Sequence, residues 1–580
     1  MIKRLVNSKD SVEMHWRKSI GLGGALGGMA AYTYRRRLLA RWLDLPPAQF
    51  KVSVRRNLRV PMPDGVMLAT DHYAPREPGS FPTILIRTPY GRAYAPVFYA
   101  YCFAERGYHV VVQDVRGRFG SDGEFEPFLN ESGDGAATVS WLARQPWFNG
   151  VLGSWGQSYL AYTQWALAME APEAVAALFP SLPSSRGPFT GKVDEAQLLE
   201  LPLRWMVVLY ALLHAPGGQG AFAPWKAVWR LSPLGQDRTL VGAFSHVPVE
   251  ECDEVAIGEE VPYFRQIMTE GPPSQWEESD YSRRLGHLSQ PVHLLGGWYD
   301  FMLGDMLADY EMLRAAGRVP FLTVGPWDHV HPEISRFQLQ EGLAWFDAHL
   351  KGRKERLRRK AVYVYVMGAD EWREFDSWPP PSRPTSFYLQ PDQGLSLQLP
   401  PQESAADSYL YDPADPTPAV GGPLFISGAG ARDNRALEAR PDVLTYTTGV
   451  LDHDLDVVGP VKATLYVASS LQYADFFARL CDVHPDGRSV NVCDGIVRLH
   501  PERCAVQEKV VRVDIDMWAT AYHIRPGHAI RLQVSSGAHP RFARNPGTAG
   551  APISTNAMRM GRQTVYHDVG HPSALILPLL

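Results

Sequence analysis

The chain has 580 residues, 45% hydrophobic and 21% charged, with a net charge of −5. That length predicts about three or four domains and a large core. The absence of any lasting basic excess excludes a nucleic-acid partner.

Lys3, Arg4, Lys9, Arg17 and Lys18 precede an apolar, glycine-rich run from Ile20 to Ala31, which ends at Arg35-Arg36-Arg37. A run of about a dozen residues is too short for a membrane span, and its glycines weaken a helix. A secretory leader carries a small-residue cleavage site after its apolar stretch, not three arginines. Residues 1–50 therefore read as a poorly ordered or surface-docking extension. The expected location is cytoplasmic, with peripheral membrane association or export through this segment as the alternative.

From residue 51 to 185 strands alternate with helical stretches. Asn57 to Leu68 reads as a hairpin turning at Asp64-Gly65. Thr83–Arg87 and His109–Gln113 are short β-branched runs of the kind that fill buried parallel strands. Helical character is expected over 97–106, closed by Gly107, and again over 133–145. A cap domain of helices is expected over 186–285, with a long one from Val193 to His214 and shorter ones near Trp225, Phe264 and Trp276. The α/β rhythm resumes over 286–355, so that 51–185 and 286–355 form one α/β domain. Residues 360–580 are expected to form a β domain, a sandwich or jelly roll. There Val511, Val513, Ile515 and Met517 alternate with polar residues, as in a strand with one buried face.

Cys102, Cys252, Cys481, Cys493 and Cys504 show no metal-binding spacing, and their odd, sparse count leans toward a reducing compartment. Pairing of Cys481 with Cys493 across strands is the one disulfide considered. Neither a metal nor a cofactor is expected.

The most informative stretch is Val151-Leu-Gly-Ser-Trp-Gly156-Gln-Ser158-Tyr159. An apolar run, a glycine-flanked serine and a helix-like segment match a nucleophile elbow, which lifts a serine hydroxyl out of a strand-to-helix turn. The same pattern also describes a turn serine that caps a helix. Such a nucleophile needs a histidine base and a carboxylate to orient it, in the chain order Ser, Asp, His, each after a core strand. Val292–Leu295 runs into Gly-Gly-Trp-Tyr-Asp300, and Phe321–Val324 runs into Gly-Pro-Trp-Asp-His329. Asp300 would hold Nδ1–H of His329 while Nε2 takes the serine proton. Asp328, His331 and Asp305 are the rivals, and activity should rise as His329 loses its proton.

These motifs resemble the cocaine esterase-like branch of the X-prolyl dipeptidyl-peptidase family, whose relatives include α-amino acid ester hydrolases and glutaryl acylases. The likeness runs through Pro63-Asp64-Gly65, Arg87-Thr-Pro-Tyr90, Asp114-Val-Arg116-Gly117, Gly156-Gln-Ser158-Tyr159, Gly297-Trp-Tyr-Asp300, Gly325-Pro-Trp-Asp-His329, Met367 to Trp372 and Arg525-Pro-Gly-His528. It implies an α/β-hydrolase domain with an inserted helical cap and a C-terminal jelly roll. It also implies Ser158, Asp300 and His329 as the catalytic set, and an oxyanion hole made by the Tyr159 backbone N–H and the Tyr90 phenol. Ala161 departs from the glycine usual three residues after the nucleophile.

The expected function is hydrolysis of small acyl or aminoacyl esters or amides through an acyl-enzyme. Removal of Xaa-Pro dipeptides is the alternative; it needs a group to hold the peptide amino terminus, and Glu195 and Glu200 in the cap stand open for that role. A non-catalytic binding protein built on the jelly roll is the distant alternative. The partner is a small-molecule substrate, and homo-oligomerisation is left open.

Overall fold

A computed structural model describes residues 38–186, 191–213, 232–269, 274–503, 509–548 and 553–580. Its first sheet has ten strands in the order β1 (Val52–Pro61), β2 (Met67–Pro75), β4 (His109–Asp114), β3 (Thr83–Thr88), β5 (Leu152–Gln157), β6 (Ala177–Ser181), β7 (His293–Gly297), β8 (Phe321–Gly325), β9 (Val362–Val366) and β10 (Glu371–Phe375). Neighbours from β4 through β9 are parallel. β1, β2 and β10 pair antiparallel at the two edges. β3 and β4 are buried along their whole length, which is why they read as unbroken apolar runs. The chain leaves β3 toward β4 and then returns to place β5 on the other side of β3. That reversal opens a crevice at the carboxyl ends of β3 and β5, where α/β folds bind ligands.

Around this sheet, α1 (Ala95–Ala104) packs near α7 (Ile334–Leu350), and α2 (Glu131–Leu142) packs on α3 (Tyr159–Glu170). α6 (Leu303–Ala315) follows β7. Between β6 and β7 lie α4 (Glu200–Leu213), α5 (Pro233–Ser245) and the shorter helices Cys252–Ile257 and Pro262–Thr269. This is the α/β-hydrolase architecture with helices inserted above the sheet.

The expected helix from Val193 begins only at Glu200. Lys192–Val193 and Ala196–Gln197 pair as a small hairpin, and Asp194 and Glu195 at its tip take φ of 42° and 67°. The helix expected near Trp225 lies outside the described residues, as do residues 1–37 of the expected extension. Residues 38–50 are docked rather than loose: Ala40, Leu43 and Leu45 are buried, and Gln340 Nε2 donates to the Leu43 carbonyl.

Just after 360, where the β domain is expected to start, two strands still belong to the first sheet. Val362–Val366 adds in parallel to β8, and Glu371–Phe375 closes the edge, so the hydrolase sheet runs on to Phe375. Among the described residues from Arg383 on, the chain is all-β apart from short helical turns at Pro391–Gln393 and Arg435–Glu438, with eleven strands in one sheet. Val511–Ile524 buries Val513, Ile515 and Met517 and exposes Arg512, Asp514 and Asp516, as the period-two pattern predicts. Cys481 and Cys493 are free thiols; Cys504 lies outside the described residues.

The β domain grips the inserted helices directly. Leu199 and Glu200 donate backbone N–H groups to the carbonyls of Arg541 and Pro540. Behind them, Arg541 and Arg479 close on the buried Asp494 carboxylate.

Candidate active site

β5 ends at Gln157 and α3 begins at Tyr159, leaving Ser158 alone at the corner with φ 60° and ψ −123°. A non-glycine residue there is strained, and such strain persists only where the surroundings enforce it. Three contacts do so. The Ser158 N–H donates to the Ser181 carbonyl at 2.9 Å. The Ser158 carbonyl accepts from Ala161 and Tyr162, which starts the helix. Gln164 then stitches α3 to β5 and β6, donating to the Gly156 and Phe179 carbonyls and accepting from the Phe179 N–H. A Cβ at Gly156 would lie 2.3 Å from that of Leu160, so the tight turn needs glycine at that position.

Asp300 and His329 meet above this corner. The loops after β7 and β8 are laced by Trp298 N–H to the Gly325 carbonyl and Tyr299 N–H to the Trp327 carbonyl. They approach so closely that a Cβ on Gly297 would sit 2.2 Å from the Trp327 carbonyl oxygen. His329 Nδ1 lies 2.6 Å from Asp300 Oδ2, and the other carboxylate oxygen accepts the Met302 N–H at 2.8 Å. Both side chains are buried. Gln157, the residue before Ser158, donates Nε2 to the His329 carbonyl at 2.9 Å and accepts from Gln338 Nε2 at 2.8 Å. The histidine loop is thereby tied to the elbow. Among the described residues no hydrogen bond joins Ser158 directly to His329.

Tyr90, on the loop after β3, brings its phenol to the Ser158 hydroxyl. Its oxygen accepts from Trp205 Nε1 at 3.0 Å. An indole N–H can only donate, so this contact leaves the phenol's own proton free to donate elsewhere. Burial pushes the Tyr90 phenol up to about 12, which keeps it neutral. Tyr159 has its phenol committed to Glu131 Oε1 at 2.7 Å and to the Phe128 N–H at 2.9 Å. Its backbone N–H opens α3, where the first amides have no partner within the helix.

Ser158 opens into a pocket walled by Tyr90, Phe128, Trp205, Phe301 and Phe425. Phe301 stacks on the His329 ring, centroids 4.3 Å apart, and Phe425 meets both rings edge-on. Through Ser184, Leu201, Phe301 and Met302 this pocket adjoins a polar cavity of about 340 Å³ that carries Arg186, Lys192, Asp194 and Asp305.

The rivals fall elsewhere. Asp328 and His331 line a separate cavity against the β domain. Asp305 accepts from Ser184 Oγ at 2.7 Å in the polar cavity. Trp205, Phe425 and Gln157 were not singled out from the sequence. Trp205 comes from the inserted helices and Phe425 from the β domain, and no local pattern announces either. Gln157 stands inside the elbow motif, and its place there is the only signal it carried.

Comparison with known proteins matches this architecture. A family model described as X-Pro dipeptidyl-peptidase (S15 family) matches residues 64–331. One described as the X-Pro dipeptidyl-peptidase C-terminal non-catalytic domain matches 357–576. A cocaine esterase from Rhodococcus sp. (strain MB1 Bresler) is 34% identical over 573 residues, covering 91% of this chain and 99% of that protein. Among solved structures, an aminopeptidase from a marine sediment Thaumarchaeota archaeon superposes with a TM-score of 0.77 at 22% identity, covering 99% of this chain and 100% of the other. An α-amino acid ester hydrolase superposes with the same TM-score at 21% identity, covering 92% and 97%. At those identities the two structures speak for the fold. The full-length kinship with the esterase, together with a model matched through the loops that carry Tyr90, Ser158, Asp300 and His329, places the chain in the S15 family of serine hydrolases.

Proposed function

We propose that this chain is a carboxylic ester hydrolase for uncharged, aromatic or bulky apolar acyl groups. Ser158 Oγ attacks the ester carbonyl while His329 Nε2 takes its proton, and Asp300 holds the imidazole through Nδ1–H and stabilises the imidazolium. The oxyanion is received by the Tyr159 N–H and the Tyr90 phenol, each such donor being worth roughly 3 kcal/mol in the transition state. The imidazolium then protonates the leaving alcohol. Water, activated by the same imidazole, releases the acid and restores the serine.

The observation that carries the acyl preference is the wall around Ser158: seven aromatic residues and, among the described residues, no carboxylate or ammonium group. A peptide amino terminus needs an anion to offset its desolvation. Neither cap acid is placed to supply one. Glu195 is exposed and pairs with Lys192, while Glu200 is buried against Arg204 at 2.6 Å and accepts the Phe425 N–H. The name of the Rhodococcus relative also points to an ester.

Two measurements test this. A fluorophosphonate probe should label the wild-type chain and fail to label Ser158→Ala; equal labelling would remove Ser158 as nucleophile. In a turnover panel, aryl esters of aromatic acids should exceed α-amino acid esters and Xaa-Pro anilides in kcat/KM by at least about tenfold, as expected for a pocket that leaves a charged amine unpaired. A preference for Xaa-Pro anilides would reject the acyl assignment.

A further inference from the structure

At the cavity between the two domains, three metal-ligating side chains of the β domain converge with no role in the reaction above. Asp482 is the last residue but one of the strand Ala474–Val483, His484 follows its end, and His528 sits in the turn before Ala529–Ser535. These two strands are paired, Asp482 opposite Ile530 and Val483 opposite Ala529, so the scaffold under the three residues is rigid. Asp482 Oδ1 is 2.7 Å from His528 Nδ1, and Asp482 Oδ2 is 3.5 Å from His484 Nε2. One ligand atom from each residue lies within 4.8 Å of the others.

We propose that Asp482, His484 and His528 form a binding site for one divalent zinc ion. Two imidazole nitrogens and a carboxylate oxygen are a donor set that Zn²⁺ accepts, at about 2.0–2.2 Å from each atom. Tetrahedral ligands at that radius stand about 3.4 Å apart. The His484–Asp482 separation already matches, and the His528–Asp482 pair has only to open.

Two further observations point to a ligand here. His484 Nε2 is a buried nitrogen without a hydrogen-bond partner, and it faces the carboxylate. Tyr522 donates its hydroxyl to Asp482 Oδ2 at 2.9 Å, the kind of outer contact that orients a ligating carboxylate.

Loading moves one proton within His528, from Nδ1 to Nε2, so that Nδ1 can bind the ion; both rings coordinate neutral. Arg488 Nη2 approaches His484 Nδ1 at 3.5 Å, the limit of a hydrogen bond. When His484 Nε2 binds zinc, its Nδ1 carries the proton and this guanidinium contact is given up. Arg488 retains Asp486, which its Nε already holds at 2.7 Å. The fourth position faces a cavity of about 700 Å³ between the two domains, where water completes the shell.

The test uses the full chain stripped with a chelator and titrated with zinc chloride alone, with bound metal counted by elemental analysis after gel filtration. One equivalent should bind to wild type. His484→Gln and His528→Gln should each weaken binding at least about tenfold, the lower end of what disturbing even an outer contact costs. Cobalt(II) loading should give visible ligand-field bands that vanish in both variants. Ester turnover by the stripped wild type and by both variants should be unchanged, which also reports that they fold. Absence of stoichiometric zinc from wild type, or equal zinc affinity in wild type and both variants, overturns the proposal.

Discussion

Phe301 lies against the imidazole of His329, centroids 4.3 Å apart with 27° between the ring planes. Its chain neighbour Asp300 holds the same ring at Nδ1. One short loop thus fixes the imidazole by charge at its edge and by contact over its face. Replacing Phe301 with Ala removes the facial contact, worth about 1 kcal/mol, and leaves the carboxylate in place. A small displacement of the base is costly, so kcat should fall about ten- to a hundredfold. Steady-state kinetics with circular dichroism as a folding control would check it. An unchanged kcat would mean that Asp300 alone sets the ring.

Asp300→Asn keeps the shape of that contact but offers the imidazole the wrong partner. With an amide N–H facing Nδ1, the ring must carry its proton on Nε2, and the base is lost. The expected fall in kcat is about 10⁴-fold, as for the equivalent change in a serine protease triad. Fluorophosphonate labelling should slow in parallel.

Tyr90→Phe separates the phenol's two contacts. It removes a donor at the Ser158 hydroxyl and leaves the Trp205 indole without its acceptor. Loss of one oxyanion donor lowers kcat by about 10²–10³-fold with little change in KM. Trp205→Phe also breaks the phenol–indole bond but keeps the donor, so its effect on kcat should be much smaller. Equal losses in the two variants would assign Tyr90 to packing.

The placement of the proposed catalytic set was largely legible in the chain because each member follows a strand that can be read locally. Gly156, Ser158, Asp300 and His329 all sit at such ends. The walls were not, since Trp205 and Phe425 reach the pocket from two other regions. Local composition also misled at two places. Val193 to Gln197 reads as the start of a helix, but the positive φ of Asp194 and Glu195 folds it into a hairpin. Residues beyond 360 read as β, but nothing in a β-branched run such as Val362–Val366 says which sheet edge it will join.

Acid should destabilise the fold through a buried pair remote from Ser158. His72 Nε2 lies 3.0 Å from His109 Nδ1, and Trp147 stacks on His72 at 3.9 Å. Burial lowers His72 to about 3, helped by its neighbour His109, and burial lowers His109 to about 4, from an ordinary 6.5. Both folded values lie below the unfolded one. The unfolded chain therefore binds protons first, and stability present above about pH 6.5 declines as pH falls toward 4 and 3. Each imidazole contributes up to about 1.4 kcal/mol per pH unit in that window. His72→Phe should lose less stability than wild type between about pH 7 and pH 5, whatever its stability at pH 7. Denaturant midpoints at the two pH values measure the difference, and parallel losses would place the acid sensitivity elsewhere.

Glu200 links the inserted helices to the wall of the pocket. Its carboxylate pairs with Arg204 and accepts the N–H of Phe425, whose ring meets His329 edge-on. Arg204 continues to Asp237, which accepts the Ser427 hydroxyl two residues further along the same β-domain loop. Phe425, on a loop outside any strand, is thus held over the His329 imidazole by a chain of ionic contacts that is buried at Glu200 and Arg204. Glu200→Gln uncouples that chain and should lower stability by about 3–5 kcal/mol, the usual result of removing one partner of a buried pair. Because the catalytic groups stay in place, KM for aromatic esters should rise more than kcat falls. Phe425→Ala should reproduce the KM change with the Glu200–Arg204 pair intact, at a stability cost of its own from the buried ring it removes. If Glu200→Gln loses stability but keeps the wild-type KM, the carboxylate braces the domain junction without placing Phe425.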